Sequence, residues 1–590
     1  SAVAPRRSSR VRLPEQKDQF WQDFYPETAD KQQHAMNFVM ELMALTETQL
    51  QSITPRTADQ AVHSKSGMQW LAAMNREKAC HVKNGTFGEE WSGPGPCPKP
   101  VPAGWVFKIK HRGDPIDEED LDTKQFKARV VIRGQFMKEG LDFNDTFAPV
   151  AKPATIRSLL AVAVHKGCIL KAGDIETAFL TADMDCEVWV TMPPLWGRGA
   201  STITSNCQRH SPPRRLLKGV PGIPQGSRLF YDTFAAQLLL MDFVPSVADK
   251  CLFLKKARSA FCAVLLWVDD FIFAGDTEAM WDAFIAQLSA KFTLTSGDLV
   301  TFLGMAVTYN RAEHTLFLSQ ASSIKTLLER ANLAECNAVA TPCVVGQAWS
   351  VKDCPQVQAS AEECKKYRGL VALANFIACW TRPDIAFTVN KLCKFMSNPG
   401  PAHWTALKHL LRYLKGSTTT GLHFSFDSAL QRVHGYTDAS FADCVDTGKS
   451  TIGYVFLFAG AVLSWFSKLH TYVTTCTNHS EYAALAQGAK EAQWLVYLFN
   501  ELLPEQAHTP MPIFVDNSGI VSLVFNPVDH QSNKHIGLLC HFAREMTDLK
   551  VIAPQRVASN ENIADVFTKA LGGEVFRNVA KLIVLEQPHI

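Results

Sequence analysis

Residues 261–275 read Phe-Cys-Ala-Val-Leu-Leu-Trp-Val-Asp-Asp-Phe-Ile-Phe-Ala-Gly, two apolar strand-like runs that meet at the adjacent carboxylates Asp269 and Asp270. An ionised carboxylate carried into a buried sheet costs several kcal/mol unless a cation or hydrogen-bond donors compensate it, so a pair at a strand turn asks for metal. An ordinary hairpin tip is the plainer alternative. Two-residue hairpin turns, however, favour Asn-Gly or Asp-Gly, and Asp-Asp between buried strands suits them poorly. Asp174 ends a second apolar strand, residues 168–174, and so stands at a sheet edge in the same way. Two-metal chemistry requires carboxylates from different strands to converge where ions about 3.5–4 Å apart can bind. Asp174 and Asp269 would bridge such a pair, with Asp270 as outer ligand. In phosphoryl transfer one ion activates a 3′ hydroxyl and the other stabilises the pyrophosphate, so no nucleophilic side chain is needed.

A second set of acids follows. Asp438 lies in Tyr436-Thr-Asp-Ala-Ser at an expected strand end, Glu481 in the first turn of a long helix, Asp516 at the end of Ile513-Phe-Val-Asp, and Asp565 in Asn562-Ile-Ala-Asp-Val-Phe-Thr-Lys569, which is expected to open a final helix. In that order the four can converge as a second two-metal site, suited to hydrolysing a phosphodiester with water. Taken singly, Glu481 and Asp565 are equally charges favouring a helix N-terminus.

Other residues would handle substrate. Phe179 lies five positions after Asp174, placed to pack under an incoming sugar and exclude a 2′ hydroxyl; a core Phe is the plainer reading. Lys127 and Arg129 alternate on one strand face, where they would clamp a triphosphate. Lys391, Lys394, Lys408, Arg412 and Lys415 are candidate contacts to a nucleic-acid backbone, the last three on one helical face that is equally readable as solvated.

These residues are carried by a 590-residue chain, too long for one core, with 47% hydrophobic and 20% charged residues. A net charge of +2 leaves any electrostatic binding surface local. Sixteen cysteines without a C-x-x-C pair favour a reducing compartment over a disulfide framework or zinc site. No apolar run is long enough for a bilayer span, and the first residue, Ser rather than Met, suggests a fragment or processed product. Alternation predicts strands over 105–110, 126–134, 168–174, 261–275, 453–458 and 461–466, an acidic loop over 114–122 and a Pro/Gly/Ser-rich stretch over 193–227. Helical spacing predicts helices near 34–50, over 367–380 and 403–414, and from Tyr482 to Leu503.

Trp105–Lys110, Phe126-Lys-Ala-Arg-Val-Val-Ile-Arg-Gly134, Phe147-Ala-Pro-Val150, Gly173-Asp-Ile-Glu-Thr-Ala-Phe-Leu180, Trp267-Val-Asp-Asp270 and Phe302-Leu-Gly-Met305 resemble the reverse transcriptase of copia-type LTR retrotransposon Pol polyproteins. Thr381-Arg-Pro-Asp-Ile-Ala386 and His409–Lys415 resemble that family's downstream helical region. Lys449–Tyr454, Ser480-Glu-Tyr482, Val515-Asp-Asn517, Lys534-His-Ile536, His541–Glu545 and Ala564–Lys569 resemble its RNase H domain. Three features depart from the pattern. Trp267 stands where Tyr is common, His479 stands where an acid usually lies two positions before the catalytic Glu, and residues 220–231 differ in wording. Within the last, Pro-Gln-Gly is similar to a template-positioning element of other reverse transcriptases, which would lay Gln225 and Gly226 against nucleotide and template base. His535 and His541 are read as structural before phosphate-binding.

The resemblance implies an α/β and α+β multidomain fold, a right-hand polymerase of fingers, palm and thumb followed by an RNase H-like mixed-sheet domain. It implies these boundaries: 1–62 a linker or tail following an upstream integrase, 63–340 fingers and palm, 341–428 a helical thumb or connection region, 429–575 the RNase H-like domain and 576–590 a C-terminal tail. The expected function is RNA-directed DNA polymerase with associated RNase H. Asp174, Asp269, Asp270, Asp438, Glu481, Asp516 and Asp565 serve as catalytic residues and as ligands for two Mg²⁺ (or Mn²⁺) ions per site. Expected partners are RNA template, DNA primer, RNA–DNA hybrid, deoxynucleoside triphosphates and the integrase and capsid parts of the same element, with no membrane. The expected location is intracellular, in a cytoplasmic element particle or the nucleus. The alternatives are a catalytically silent, domesticated or decayed element protein that only binds nucleic acid or assembles particles, and a template-independent nucleotidyltransferase, which leaves the second set of acids without a purpose.

Overall fold

Apolar alternation builds four sheets among the described residues of this computed structural model, which cover 54–587 apart from 96, 98, 112–123, 197–211, 256–259, 427–431 and 526–536. The basic start, the helix expected near 34–50, the acidic loop and His535 lie outside them.

The first sheet runs Phe87–Glu90, Arg214–Lys218, Asp183–Thr191, Val101–His111, Lys124–Ile132. Along Val101–His111 the residues Trp105, Phe107 and Ile109 are buried while Val106 and Lys108 are exposed, the two-residue period of a sheet with one wet face. The helix Gly67–Lys83 covers the dry face, its buried Trp70 ring lying edge-on to Phe107 at 5.2 Å and to Phe126 at 4.8 Å.

The second sheet runs Leu294–Asp298, Ile169–Ile175, Asp270–Gly275, Cys262–Trp267, Leu252–Lys255, Phe243–Pro245. Its central strands are apolar almost throughout because the helices Gly226–Leu240 and Glu278–Ser289 pack one side through Phe230, Phe234, Trp281 and Phe284. The helix Pro153–Lys166 is buried from Ala154 to Val164. These two sheets and their helices fill the stretch expected to form the fingers and palm.

Between them and the last domain lie the helices Ala361–Trp380, Ala386–Cys393 and Pro401–Gly416. Here the Arg-Pro-Asp motif is structural: Arg382 and Asp384, both essentially without exposure, form an ion pair at 2.7 Å, and the Tyr413 hydroxyl donates to the same carboxylate at 2.6 Å.

The fourth sheet, Ala461–Leu469, Thr451–Phe458, His434–Ser440, Met511–Val515, Ile552–Arg556, is antiparallel through its first three strands and parallel through the last two. The 26-residue helix Thr477–Leu502 crosses it with most of its length buried. This is the RNase H-like mixed sheet, so the α/β and α+β expectation holds.

The palm and this last domain are joined directly. Arg157 donates from Nε to Leu463 O at 2.6 Å and from Nη1 to Cys379 O at 3.0 Å, and its guanidinium lies 3.9 Å over the Trp465 ring. Trp494 Nε1 donates to Ala248 O at 2.8 Å, and Glu501 accepts from Val247 N at 2.9 Å and from the Ser246 hydroxyl.

Three boundaries differ from expectation. Of the expected tail 576–590, the described residues 576–587 are structured: the helix Gly573–Ile583 leads into Leu585–Glu586, which pairs with Thr420–Ser425. That strand, within the region expected to be helical, also pairs with Thr315–Ser319 and so ties three distant segments into the third sheet. The helix Ala58–His63, capped by the Thr57 hydroxyl, crosses the expected boundary between 62 and 63.

Candidate active sites

Asp270 opens its strand opposite Asp174 on one side and Trp267 on the other, so the two carboxylates are direct cross-strand neighbours. The turn between the strands is Val268-Asp269, not Asp269-Asp270. Val268 takes φ +55°, a region costly for a β-branched residue, and such strain persists where surrounding pairing holds it. The Asp269 carbonyl accepts from Ile175 N at 3.0 Å, which fixes the turn against the Asp174 strand. Trp267 is accommodated by Trp380, ring to ring at 5.5 Å.

Burial pushes the Asp269 carboxyl up, Asp174 adding to the shift and the charge of Arg129 opposing it. Asp270 is pushed up to about 7, chiefly by burial and then by Asp269 and Asp174. Cross-strand carboxylates that repel one another want a cation. Asp174 itself is exposed, and the three acids remain a loose group rather than a tight cluster.

Around this group Arg129 is exposed and Lys127 half-buried on the strand Lys124–Ile132. Gln225, fully buried, precedes the helix Gly226–Leu240; its Nε2 donates to Asp142 O at 3.0 Å while Oε1 has no hydrogen-bond partner. Phe179 is half-buried against the palm core, and a Cβ on Gly226 would stand 3.3 Å from its ring. Phe179, Gln225 and Gly226 are therefore neighbours.

The second set converges tightly. Among the described residues Asp438, Glu481 and Asp516 alone bring ligand atoms within 4.8 Å of one another. Asp438 lies inside the strand His434–Ser440, Glu481 is the fifth residue of the long helix and Asp516 directly follows Met511–Val515. Asn517 Nδ2 donates to Asn478 Oδ1 at 3.0 Å, holding that strand end against the helix. Asp565 sits in the 3-10 turn Ile563–Phe567 rather than opening a long helix. Asn562 Nδ2 donates to Thr437 O at 3.1 Å and pins this turn beside Asp438. Gly453, the register partner of Asp438, leaves room for it: a Cβ there would meet Phe567 Cβ at 2.7 Å.

Burial raises Asp438 and raises Glu481 well above the carboxylate range, with Asp438 and then Asp516 adding to the latter. Asp565 is pushed up to about 7 by burial and by Asp438. Glu481 Oε2 is buried with no hydrogen-bond partner. A buried, unpartnered oxygen on a residue grouped with two further carboxylates fits a divalent ion, since hard cations take oxygen ligands.

Sequence reasoning missed two residues here. The Thr568 hydroxyl donates to Asp438 Oδ2, and Lys569 Nζ lies 2.9 Å from Asp565 Oδ1 and 3.6 Å from Asp438 Oδ2. The i, i+4 spacing of Asp565 and Lys569 was the available signal. His479 faces Thr475, its Nδ1 3.3 Å from the hydroxyl, and His541 is exposed.

Of the basic candidates, Lys391 is tied to Asp443 and to the Thr451 hydroxyl, and Lys394 lies 3.6 Å from Asp446 and 3.0 Å from Cys444 Sγ. These two are internal ties, not free contacts. Lys408 is exposed, Lys415 half-buried, and Arg412 donates to Asn337 O at 2.7 Å.

Residues 95–345 match the family described as reverse transcriptase (RNA-dependent DNA polymerase). The Pol polyprotein of transposon TNT 1-94 from Nicotiana tabacum is 31% identical over 533 residues, covering 90% of this chain and 39% of its own length. That of transposon RE2 from Arabidopsis thaliana is 31% identical over 530 residues, covering 90% and 34%. The chain thus spans little more than a third of these curated relatives. A solved structure of foamy viral protease-reverse transcriptase with double-stranded DNA aligns over 83% of this chain and 70% of that one, at TM-score 0.48 and 12% identity. Over 90% of its length the chain is thus similar to part of the Pol polyproteins of these plant transposons, and residues 95–345 within it match the reverse transcriptase family.

Proposed function

We propose that the chain copies an RNA template into DNA and degrades the RNA strand of the resulting hybrid, with divalent ions, Mg²⁺ or Mn²⁺, held by both groups of acids. The observation that carries this reading is the presence, in one chain, of a strained hairpin presenting Asp269 and Asp270 beside Asp174 and of a separate buried nest of Asp438, Glu481 and Asp516. When bound, the ions supply Lewis acidity and an activated oxygen nucleophile.

The chain's own residues do the rest. Asp174 and Asp270, fixed opposite each other by strand register, set where a primer terminus and a triphosphate meet. Arg129, whose charge reaches Asp269, and Lys127 lie where the triphosphate's negative charge is welcome. Phe179, held by the palm core beside Gly226, forms the floor for the sugar. Gln225 keeps an unused carbonyl oxygen for a donor from the template or nucleotide. At the nest, burial and the neighbouring acids make Glu481 and Asp565 hold a proton more readily than free carboxylates, and a bound cation would oppose that shift. The partners under this reading are RNA template, DNA primer, hybrid and deoxynucleoside triphosphates.

With Mg²⁺, purified protein should extend a DNA primer on an RNA template, and Asp269→Asn should abolish extension while sparing hybrid cleavage. Asp438→Asn should do the reverse. Wild-type protein inert in both assays would favour a catalytically silent element protein, and extension that ignores the template would favour the nucleotidyltransferase.

A further inference from the structure

Lys569 sits at the edge of the nest, and nothing in the chemistry proposed above uses it. The backbone holds it there: both Thr568 N and Lys569 N donate to Asp565 O at 3.1 Å, so the chain wraps back and sets the side chain over the carboxylate it follows. Its Nζ reaches Asp565 Oδ1 at 2.9 Å and Asp438 Oδ2 at 3.6 Å, and the side chain is 41% exposed, with a route outward to solvent. Asp438 thus belongs to two groupings. With Glu481 and Asp516 it makes the tight triad that includes the unpartnered Glu481 Oε2. With Asp565 it shares the Lys569 ammonium, whose charge is also felt by Asp516 and Glu481.

We propose that Lys569 is a resident cation of the nest, so that one divalent ion binds tightly between Asp438, Glu481 and Asp516, and a second enters between Asp438 and Asp565 only by displacing the Lys569 ammonium. The inference rests on the metal-dependent reading above and refines its ion count. Charge supports it. Four carboxylates with one ammonium and one divalent ion leave a single net negative charge, whereas a second divalent ion beside an undisplaced ammonium would make the nest net positive before any phosphate arrived. An ammonium within about 4 Å of a bound dication is strongly unfavourable at any protein dielectric, and Lys, with its flexible stem and compact head, is the side chain best able to swing away. Once outside, it would meet the negative backbone of the strand to be cut. Loading of the second ion is thereby linked to the arrival of nucleic acid.

The test counts ions directly. The 590-residue chain carrying Asp269→Asn and Asp270→Asn, which silences the hairpin site, is titrated with MnCl₂ and free Mn²⁺ is read by electron paramagnetic resonance. With Lys569 intact, one Mn²⁺ should bind tightly and a second at least about tenfold more weakly; Lys569→Met should tighten the second by about tenfold or more, the scale expected for removing one nearby unit charge. Lys569→Arg, which keeps the charge and guards against a packing artefact, should keep the second site weak. Circular dichroism establishes that each variant folds. Equal second-ion affinity with Lys569 and with Met, or tightening by Arg as well as Met, would overturn the inference while leaving the nest a metal site. Tight Mn²⁺ binding that survives Asp438→Asn would instead sink the metal reading of the nest itself, and this inference with it.

Discussion

Asp174 is exposed and Asp269 and Asp270 half-buried, whereas Asp438 and Glu481 keep only 1% and 5% of their surface. The hairpin acids come from two neighbouring strands and a turn of one sheet, the nest acids from two strands, a helix and a 3-10 turn that close over one another. Under the proposed function, the difference follows from what each must admit. A site joining a primer end to a triphosphate receives bulky anionic reactants that carry ion ligands of their own, so it stays open and is completed by its substrates. A site cutting one strand with water needs little room and is assembled in advance, down to a counter-charge at Lys569.

The largest effects should separate the sites by more than activity. Glu481→Gln should lower hybrid cleavage by about a thousandfold or more, the scale of losing a principal electrostatic group, and yet stabilise the cation-free protein, because a buried acid repelled by Asp438 and Asp516 has gone. Asp174→Asn should cost extension as much with no change in unfolding midpoint, because the residue is exposed; a midpoint change in both, or in neither, would erase the contrast.

Selectivity comes next. Phe179→Ala should lower discrimination against ribonucleotides in primer extension by about 10–100-fold, and unchanged discrimination would return Phe179 to the core.

A smaller effect concerns pH. Asp270 and Asp565 both titrate near 7 in the fold against 3.8 unfolded, so each holds its proton more tightly when folded. Their contribution is fully present below pH 3.8 and is lost as pH rises from about 4 to about 7. Urea midpoints in EDTA should therefore carry a declining component over that window, and saturating Mg²⁺ should remove it, adding about 2.7 kcal/mol at a hundredfold excess over Kd. Curves that overlay with and without Mg²⁺ would contradict ion binding at both sites.

The smallest expected effect is Lys408→Ala, which should weaken hybrid binding about two- to threefold and lower the logarithmic salt slope by about one. No change in slope would make this helix face solvated only.

What the sequence made legible were features carried by local pattern: the palm strands, the long helix and the order of the acids. Asp438, Glu481 and Asp516 were placed together because each ends or flanks an element whose period was plain. Pairing between remote segments was not legible. Nothing in Thr420–Ser425 announces that it will pair with Leu585–Glu586, and nothing in Lys391 or Lys394 reveals that Asp443 and Asp446 will capture them. At the Val268 turn cross-strand register, not turn propensity, decides which two residues sit at the tip. Asp565 was expected at a helix start, but the short 3-10 turn is set by Asn562 reaching back to Thr437, a tertiary bond.

The joint at Arg157 has a consequence for the geometry of degradation. A guanidinium shared by Leu463 O, Cys379 O and the Trp465 face ties the palm to the sheet of Asp438 at that point. Under the proposed function, such a tie would hold the offset between synthesis and scission constant, so that a paused enzyme would mark its transcript at one fixed number of base pairs behind the growing end, as a ruler does.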